Sequence, residues 1–189
     1  RTQLTARLAA ERSALYLQLE GLDEATLSGR PVSGDWTAAG LLAHIGYWDA
    51  LYADRLTKLV DGRRGEIRPV ASLDERNAAV MARLRGLSFS EGVAIAQKER
   101  RNFLSAFGRV PDDLLFRRVR LGPGWRPSAY SWARQQAAHD AEHTAELARW
   151  RRQFPPNDPS LRVIHRALLR PLLGLSRQEF LALAALVAP

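Results

Sequence analysis

Apolar residues recur along most of this chain at intervals of three and four, which is the spacing of one face of an α-helix. Near the N-terminus, leucines at this spacing, with one seven-residue gap, predict an amphipathic helix over about residues 2–21. These leucines are Leu4, Leu8, Leu15, Leu19 and Leu22. A second helix is predicted from about Thr37 to about Val60, where Asp61 and Gly62 end it. The pattern therefore predicts a nearly all-α fold.

Serine residues mark the starts of further helices. Ser72 and Glu75 have the spacing of a capping box and predict a short helix to about residue 85. Ser88 begins another helix that runs to about residue 107, and the last long helix starts near Ser128 and ends before Pro155. Loops are predicted at residues 29–35, 62–71 and 117–127.

A proline-rich segment that begins at Pro155 divides the chain into a helical domain, residues 1–153, and an extension, residues 154–189. Two short helices are predicted in the extension, at 160–173 and 176–187. The second of them weakly resembles the first helix of the domain. The extension is therefore either the start of a truncated second copy of the domain or a helix that packs on the bundle.

Composition excludes several classes of protein. The chain has 189 residues, 46% of them hydrophobic, which is enough for a sizeable core. It has no cysteine, so disulfides and thiolate metal sites are excluded and a reducing, cytoplasmic compartment is favoured. No signal peptide is visible, and no apolar run reaches the roughly 18–20 residues of a membrane span, so no membrane partner is predicted.

The net charge of +8 comes from arginine, since Lys58 and Lys98 are the only lysines. Arginine enrichment of this kind is typical of GC-rich coding. The alternative is nucleic-acid binding, but the arginines are spread along the whole chain and form no dense basic stripe on one helix. A nucleic-acid partner is therefore not favoured.

Two of the four histidines, His139 and His143, are four residues apart in the last predicted helix. This spacing puts both imidazoles on one face, where they can bind one ion. Asp140 and Glu142 face away from them, toward solvent or toward neighbouring arginines. His44 lies in the middle of the second helix between apolar residues, and in a bundle it could face the pair as a third ligand.

Three neutral histidines without a carboxylate favour Zn²⁺ or Ni²⁺, with Fe²⁺ or Co²⁺ as alternatives, over Mg²⁺ or Ca²⁺. Three protein ligands leave a coordination position open, as in catalytic metal sites. The fourth histidine, His165, is interpreted as a surface or packing residue. His139, Glu142 and His143 also fit the inverted zincin motif, but the chain offers few downstream carboxylates for a further ligand, which disfavours a protease.

Two segments resemble the DinB-like superfamily (the DinB/YfiT group). In residues 34–48 a tryptophan, Trp36, is followed by Thr37 and then, eight residues after the tryptophan, by His44. In residues 137–151 the two spaced histidines precede an aromatic and basic end. The resemblance covers about residues 1–153. It implies an up-down-down-up four-helix bundle, with extra short helices at the C-terminus here, and a metal held by His44, His139 and His143.

The resemblance also implies a function. Several family members are thiol-dependent transferases or isomerases that use bacillithiol, mycothiol or glutathione, and others are described as hydrolases. We therefore expect a bacterial metal-dependent enzyme that acts on a small molecule, with a low-molecular-weight thiol as a candidate cofactor. The alternative is a non-enzymatic stress or resistance protein that binds metal or a small molecule. A homodimer is compatible with the sequence, which does not determine the oligomeric state.

Candidate substrate-binding residues lie at the entry to the last helix. Trp125 and Tyr130 could wall a cleft over the metal, where Arg126 would hold an anionic substrate or the carboxylate of a thiol cofactor. The alternative for this segment is a loop anchored by its aromatic residues. No protein nucleophile is apparent, since cysteine is absent and no serine has a Gly-x-Ser-x-Gly context. The catalytic group would then be a metal-bound water or thiolate.

Overall fold

The computed structural model describes residues 1–154. The two predicted tail helices, the possible second copy of the domain and His165 lie outside the described residues. None of the helices within residues 1–154 combines the length and the apolar composition needed to cross a bilayer.

The described part of the chain is mostly helical, which confirms the predicted fold class at this level. Its long helices are α1 (Thr2–Leu17), α3 (Ala38–Val60), α5 (Phe89–Gly108) and α7 (Ala129–Arg151). Shorter helices are α2 (Glu24–Gly29), α4 (Leu73–Arg83) and α6 (Asp112–Leu115), with a 3-10 turn at Arg64–Glu66. A small antiparallel hairpin pairs β1 (Pro31–Ser33) with β2 (Trp36–Thr37).

Helix starts agree with the predicted capping residues. Thr37, Ser72, Ser88 and Ser128 cap α3, α4, α5 and α7, and each side-chain oxygen accepts a backbone N–H three residues ahead. At Ser88 the capping box is complete, because the carboxylate of Glu91 also accepts from the Ser88 backbone. Local side-chain chemistry therefore sets where these helices begin.

The region between the first two long helices differs from its prediction. α1 ends at Leu17, four residues early, and the chain turns through Gly21, whose φ is +70°. Asp23 then caps α2, which the sequence analysis did not predict, by accepting from the Thr26 N–H. The predicted loop at residues 29–35 contains most of the hairpin, with Gly34 in its turn at a φ of +52°.

The core divides into two apolar clusters, and each long helix passes from one to the other. One cluster contains residues from the beginnings of α1 and α7 and from the later parts of α3 and α5; examples are Leu4, Leu8, Tyr52, Phe103 and Trp132. The other cluster contains residues from the later parts of α1 and α7 and from the beginnings of α3 and α5; examples are Leu15, Leu42, Ile45, Val93 and Leu147.

Helices α3 and α5 approach each other closely because glycine lies at their contact. Gly92 has no room for a side chain against the backbone of Ala39, and a Cβ on Gly46 would lie 3.0 Å from the Cα of Ala96. This contact brings the first half of α3, which carries His44, next to the first half of α5.

Candidate metal centre

Three histidine side chains converge between α3 and α7. His44 projects from α3, while His139 and His143 lie one turn apart on α7, as predicted from their spacing. The Nε2 atom of His139 lies 3.3 Å from Nε2 of His44 and 3.0 Å from Nε2 of His143. One nitrogen from each ring lies within 4.8 Å of the others. Within residues 1–154 these histidines are the only such group of candidate ligands.

Burial keeps two of these imidazoles neutral. Burial, aided by His143, lowers the pKa of His44 to about 3. Burial also lowers the pKa of His139 to about 2, with further contributions from His143 and His44. A neutral imidazole has a free lone pair, and this is the form that binds a metal.

The site fits a small divalent ion. Nitrogens bound tetrahedrally at the Zn–N distance of about 2.0–2.1 Å lie roughly 3.3–3.4 Å apart. The observed separations of 3.0 and 3.3 Å are close to this value. Three inward-facing Nε2 atoms compete for shared protons in the absence of a cation, whereas an ion accepts all three lone pairs. An all-nitrogen donor set suits Zn²⁺, Ni²⁺, Fe²⁺ or Co²⁺.

The remaining ring nitrogens differ in their partners. His143 Nδ1 lies 2.8 Å from an Oε atom of Glu146, a contact that orients the ring and directs its Nε2 inward. The Nδ1 atoms of His44 and His139 are buried and have no hydrogen-bond partner among the described residues. The carboxylate of Glu146 therefore fixes one of the three rings.

Two tryptophans lie beside the histidines. The indole of Trp36, which precedes α3, lies 4.9 Å from the His44 ring, centroid to centroid. The Trp48 indole lies 6.3 Å from the His44 ring and 6.4 Å from the His139 ring. These apolar walls shield the site from water, and the desolvation accounts for the lowered pKa values.

Next to the histidines lies a buried network of four charged residues, one from each long helix. Arg12 of α1 and Arg100 of α5 each contact both Asp49 of α3 and Asp140 of α7, at nitrogen–oxygen distances of 2.7–3.1 Å. Both aspartates are fully buried. We call Arg12, Asp49, Arg100 and Asp140 the buried ion quartet.

The quartet is balanced in charge, and it lies where the two apolar clusters meet. Burial alone would lower the pKa of Arg12, but Asp140 and Asp49 raise it well above its ordinary value. Asp140 follows His139 directly, so this network also fixes the part of α7 that carries the histidines. Of the two alternatives for Asp140, the structure shows an arginine partner rather than a solvent-facing side chain.

The quartet was not predicted from the sequence, although a signal for it was present. Each of the four residues interrupts an apolar helix face at helical spacing; for instance, Arg12 lies between the buried residues Leu8 and Leu15. A charged residue in such a position must find a partner inside the fold. The identity of that partner is not readable from the local sequence.

A cavity of about 660 Å³ opens beside the centre, between α3, α7 and the segment before α4. Trp48 separates it from the histidines, which are not among the described residues that line it. Trp125 lines this cavity. Arg126 is exposed and is not among its described lining residues, and the ring of Tyr130 lies against that of Phe116 in a tilted arrangement with a centroid distance of 4.8 Å. Substrate binding by these three predicted residues stays a prediction.

Comparison with known proteins gives one match. The model of the DinB superfamily matches residues 7–147, which is more than half of the chain and includes all three histidines. No curated protein and no solved structure is significantly similar to the chain.

Proposed function

Since the chain belongs to the DinB superfamily, we propose that it is a divalent-metal-dependent enzyme that acts on a small molecule through His44, His139 and His143. One observation carries this proposal: the Nε2 atoms of His44 and His143 lie 3.3 and 3.0 Å from Nε2 of His139, close to the separations of metal ligands, and one nitrogen of each ring lies within 4.8 Å of the others. Packing alone does not explain this arrangement, because one buried and two partly buried imidazoles that face one another gain little without a shared cation.

The reaction class that we propose is thiol-dependent S-transfer or hydrolysis. The chemistry that a bound ion supplies at such a site is Lewis-acid activation, which lowers the pKa of a coordinated thiol or water. The three histidines hold the ion, and Glu146 orients His143 through its Nδ1. Trp36 and Trp48 exclude water from one side. A low-molecular-weight thiol is the cofactor proposed for the transfer reaction.

We also propose that the long helices have the up-down-down-up order. Helix α1 runs from the Leu4 cluster to the Leu15 cluster, whereas α3 and α5 both run the other way. Helix α7 again follows the direction of α1. This order supports the function because it puts α3 antiparallel to α7, so that His44 of α3 faces His139 of α7.

Elemental analysis of purified protein tests the metal proposal. We expect about one equivalent of Zn²⁺, Ni²⁺, Fe²⁺ or Co²⁺ in the wild type and background levels in the His139→Ala/His143→Ala variant. The control is His165→Ala, which removes a histidine without a predicted site role. Added metal at about 100 times its Kd should raise the free energy of unfolding of the wild type by about 2.7 kcal/mol, and that of the double variant not at all. A wild type without metal would contradict the proposal.

An activity screen separates the enzyme from the non-enzymatic binder. The metal-loaded protein is assayed with bacillithiol, mycothiol and glutathione against electrophiles, and with ester and amide substrates for hydrolysis. Turnover that disappears in the double-histidine variant supports the enzyme. Metal binding without any turnover in the full screen favours a protein that sequesters metal or a small molecule.

A further inference from the structure

Among the buried arginines of residues 1–154, one has no carboxylate partner. Arg55 on α3 is 4% exposed, and its Nη2 donates to the backbone oxygen of Arg68 at 2.9 Å. Its guanidinium carbon lies 5.0 Å from the ring centroid of Tyr52 and 5.2 Å from that of Trp125. Its Nε is buried without a hydrogen-bond partner in the described residues. Arg55 thus retains a donor that no described residue uses.

The other buried arginines are different. Arg12 and Arg100 each contact two aspartates, whereas Arg55 forms no ion pair with any residue in the described range. A buried cation that lacks an anion carries a desolvation cost that cation–π contacts offset only in part. The guanidinium remains charged at neutral pH, since arginine does not lose its proton in proteins. An anion that enters from outside would remove this cost.

The cavity beside the metal centre gives such an anion access to Arg55. Arg55 lines it together with two other arginines, Arg7 and Arg134, and no aspartate or glutamate is among its described lining residues. Aromatic side chains form much of the wall: Trp48, Tyr52, Trp125 and Trp132. The cavity therefore combines positive charge with flat apolar surfaces, which suits a ligand with an anionic group and an apolar or aromatic body.

We infer that this cavity binds a small anionic ligand whose carboxylate or phosphate contacts Arg55 and whose apolar body lies along Trp48 toward the histidines. Trp48 and Arg55 are seven residues apart on α3, or about 10 Å along the helix axis. Trp48 also contacts the rings of His44 and His139. A ligand that spans this distance brings its far end to Trp48, the residue that separates the cavity from the metal centre. The identification of this ligand as the substrate or thiol cofactor of the metal centre rests on the proposed function. Anion binding by Arg55 does not depend on that function.

Binding of three small probes to the full chain tests the inference. The probes are phenylacetate, its neutral counterpart phenylacetamide, and phenyl phosphate, titrated at low salt. Calorimetry measures affinity, and the indole N–H signals of the tryptophans report the location by NMR. We expect at least one anion to bind in the millimolar range and phenylacetamide to bind at least about tenfold more weakly than phenylacetate. The stronger of the two anions identifies the preferred group.

Three variants distinguish the role of Arg55 from that of Arg126, the arginine predicted from the sequence. Arg55→Gln should weaken anion binding by at least about tenfold, while the exposed Arg126→Gln should leave it within about twofold. Arg55→Lys keeps the charge but loses the forked donor geometry, so its affinity should fall between the two. If Arg55→Gln does not fold, Arg55→Lys and the difference between the acid and its amide on the wild type decide the question.

Three results would overturn the inference: no binding of either anion, equal binding of phenylacetate and its amide, or a loss caused by Arg126→Gln but not by the Arg55 variants. The His139→Ala/His143→Ala variant separates the two proposals. It should lose metal and still bind the anion, because Arg55 is not one of the metal ligands. If the double-histidine variant loses only metal binding and Arg55→Gln loses only anion binding, the two proposals concern independent sites and can fail separately.

Discussion

The histidine centre and the buried ion quartet lie side by side in the same bundle, yet they satisfy their polar groups in opposite ways. In the quartet, two guanidiniums and two carboxylates neutralise one another, and each arginine contacts both aspartates. In the histidine centre, three like groups face one another, and only the Nδ1 of His143 contacts a carboxylate. The charges of the quartet balance within the chain, although Asp49 Oδ1 and Arg100 Nη1 lack a hydrogen-bond partner among the described residues. The histidine centre has no such internal balance, and the proposed ion would complete it.

This difference separates a structural role from a binding role. A balanced buried network connects four helices, and removal of one member lowers the stability of the fold because it leaves an unpaired buried charge. A cluster of neutral bases tolerates removal of one member more easily, because no buried charge is left behind. Loss of one histidine should therefore cost metal affinity rather than stability, while loss of one quartet residue should cost stability first.

The largest expected effect is on the quartet. Asp140→Asn leaves two buried guanidiniums with a single carboxylate, and we expect the free energy of unfolding to fall by about 3–5 kcal/mol. Urea denaturation measures this change. Glu142→Gln, an exposed position on the same helix, is the matched control and should change stability by no more than about 0.5 kcal/mol. An equal effect of the two substitutions would contradict the structural role of the quartet.

The next effect is a dependence of stability on pH in protein treated with a chelator. The folded-state pKa values of His44 and His139, about 3 and about 2, lie below the ordinary value of 6.5. Below pH 6.5 the unfolded chain takes up protons that the folded chain does not, so stability is full above this pH and falls as the pH decreases. We expect a loss of about 2 kcal/mol from each histidine between pH 7 and pH 5.

Denaturation at several pH values checks this slope. A His44→Gln/His139→Gln variant should lose most of it, while Glu142→Gln should keep it. A wild type with a flat profile between pH 7 and pH 5 would show that these two imidazoles are not held neutral by burial.

A smaller effect is expected from the one carboxylate that contacts the histidine centre. Glu146→Gln weakens the contact that orients His143, so the Kd for Zn²⁺ should rise about 10- to 100-fold with little change in stability. Competition with a metal indicator gives the Kd. Glu142→Gln again serves as the control. If Glu146→Gln lowers stability and leaves the Kd unchanged, the contact belongs to the structural part of the bundle.

The smallest effect tests whether both regions depend on the start of the same helix. Thr37 caps α3, which carries both His44 and Asp49, and Thr37→Ala should lower the free energy of unfolding by about 1 kcal/mol. The Kd for Zn²⁺ should stay within about twofold, since the cap lies two turns before His44. Ser72→Ala, at the start of α4, is the comparison. A large rise in Kd in Thr37→Ala alone would link the helix start to the metal centre.

Much of the secondary structure could be predicted because its causes are local. The starts of α3, α4, α5 and α7 follow from capping residues that bond only three positions ahead. The facing of His139 and His143 follows from the 3.6-residue period of one helix. The early end of α1 and the short helix after Asp23 were missed, because turns and short helices there depend on weaker local signals and on packing.

The sequence by itself determined the helices and one pair of ligands, and it supplied His44 as a third ligand only on the assumption of a bundle. Tertiary structure decided which distant residues meet. It brought His44 to the α7 pair, joined Arg12 and Arg100 to aspartates from two other helices, and left Arg55 beside a cavity without a carboxylate. The physical reason is that helical periodicity fixes the face on which a side chain lies, whereas the partner on the next helix depends on how the apolar faces pack.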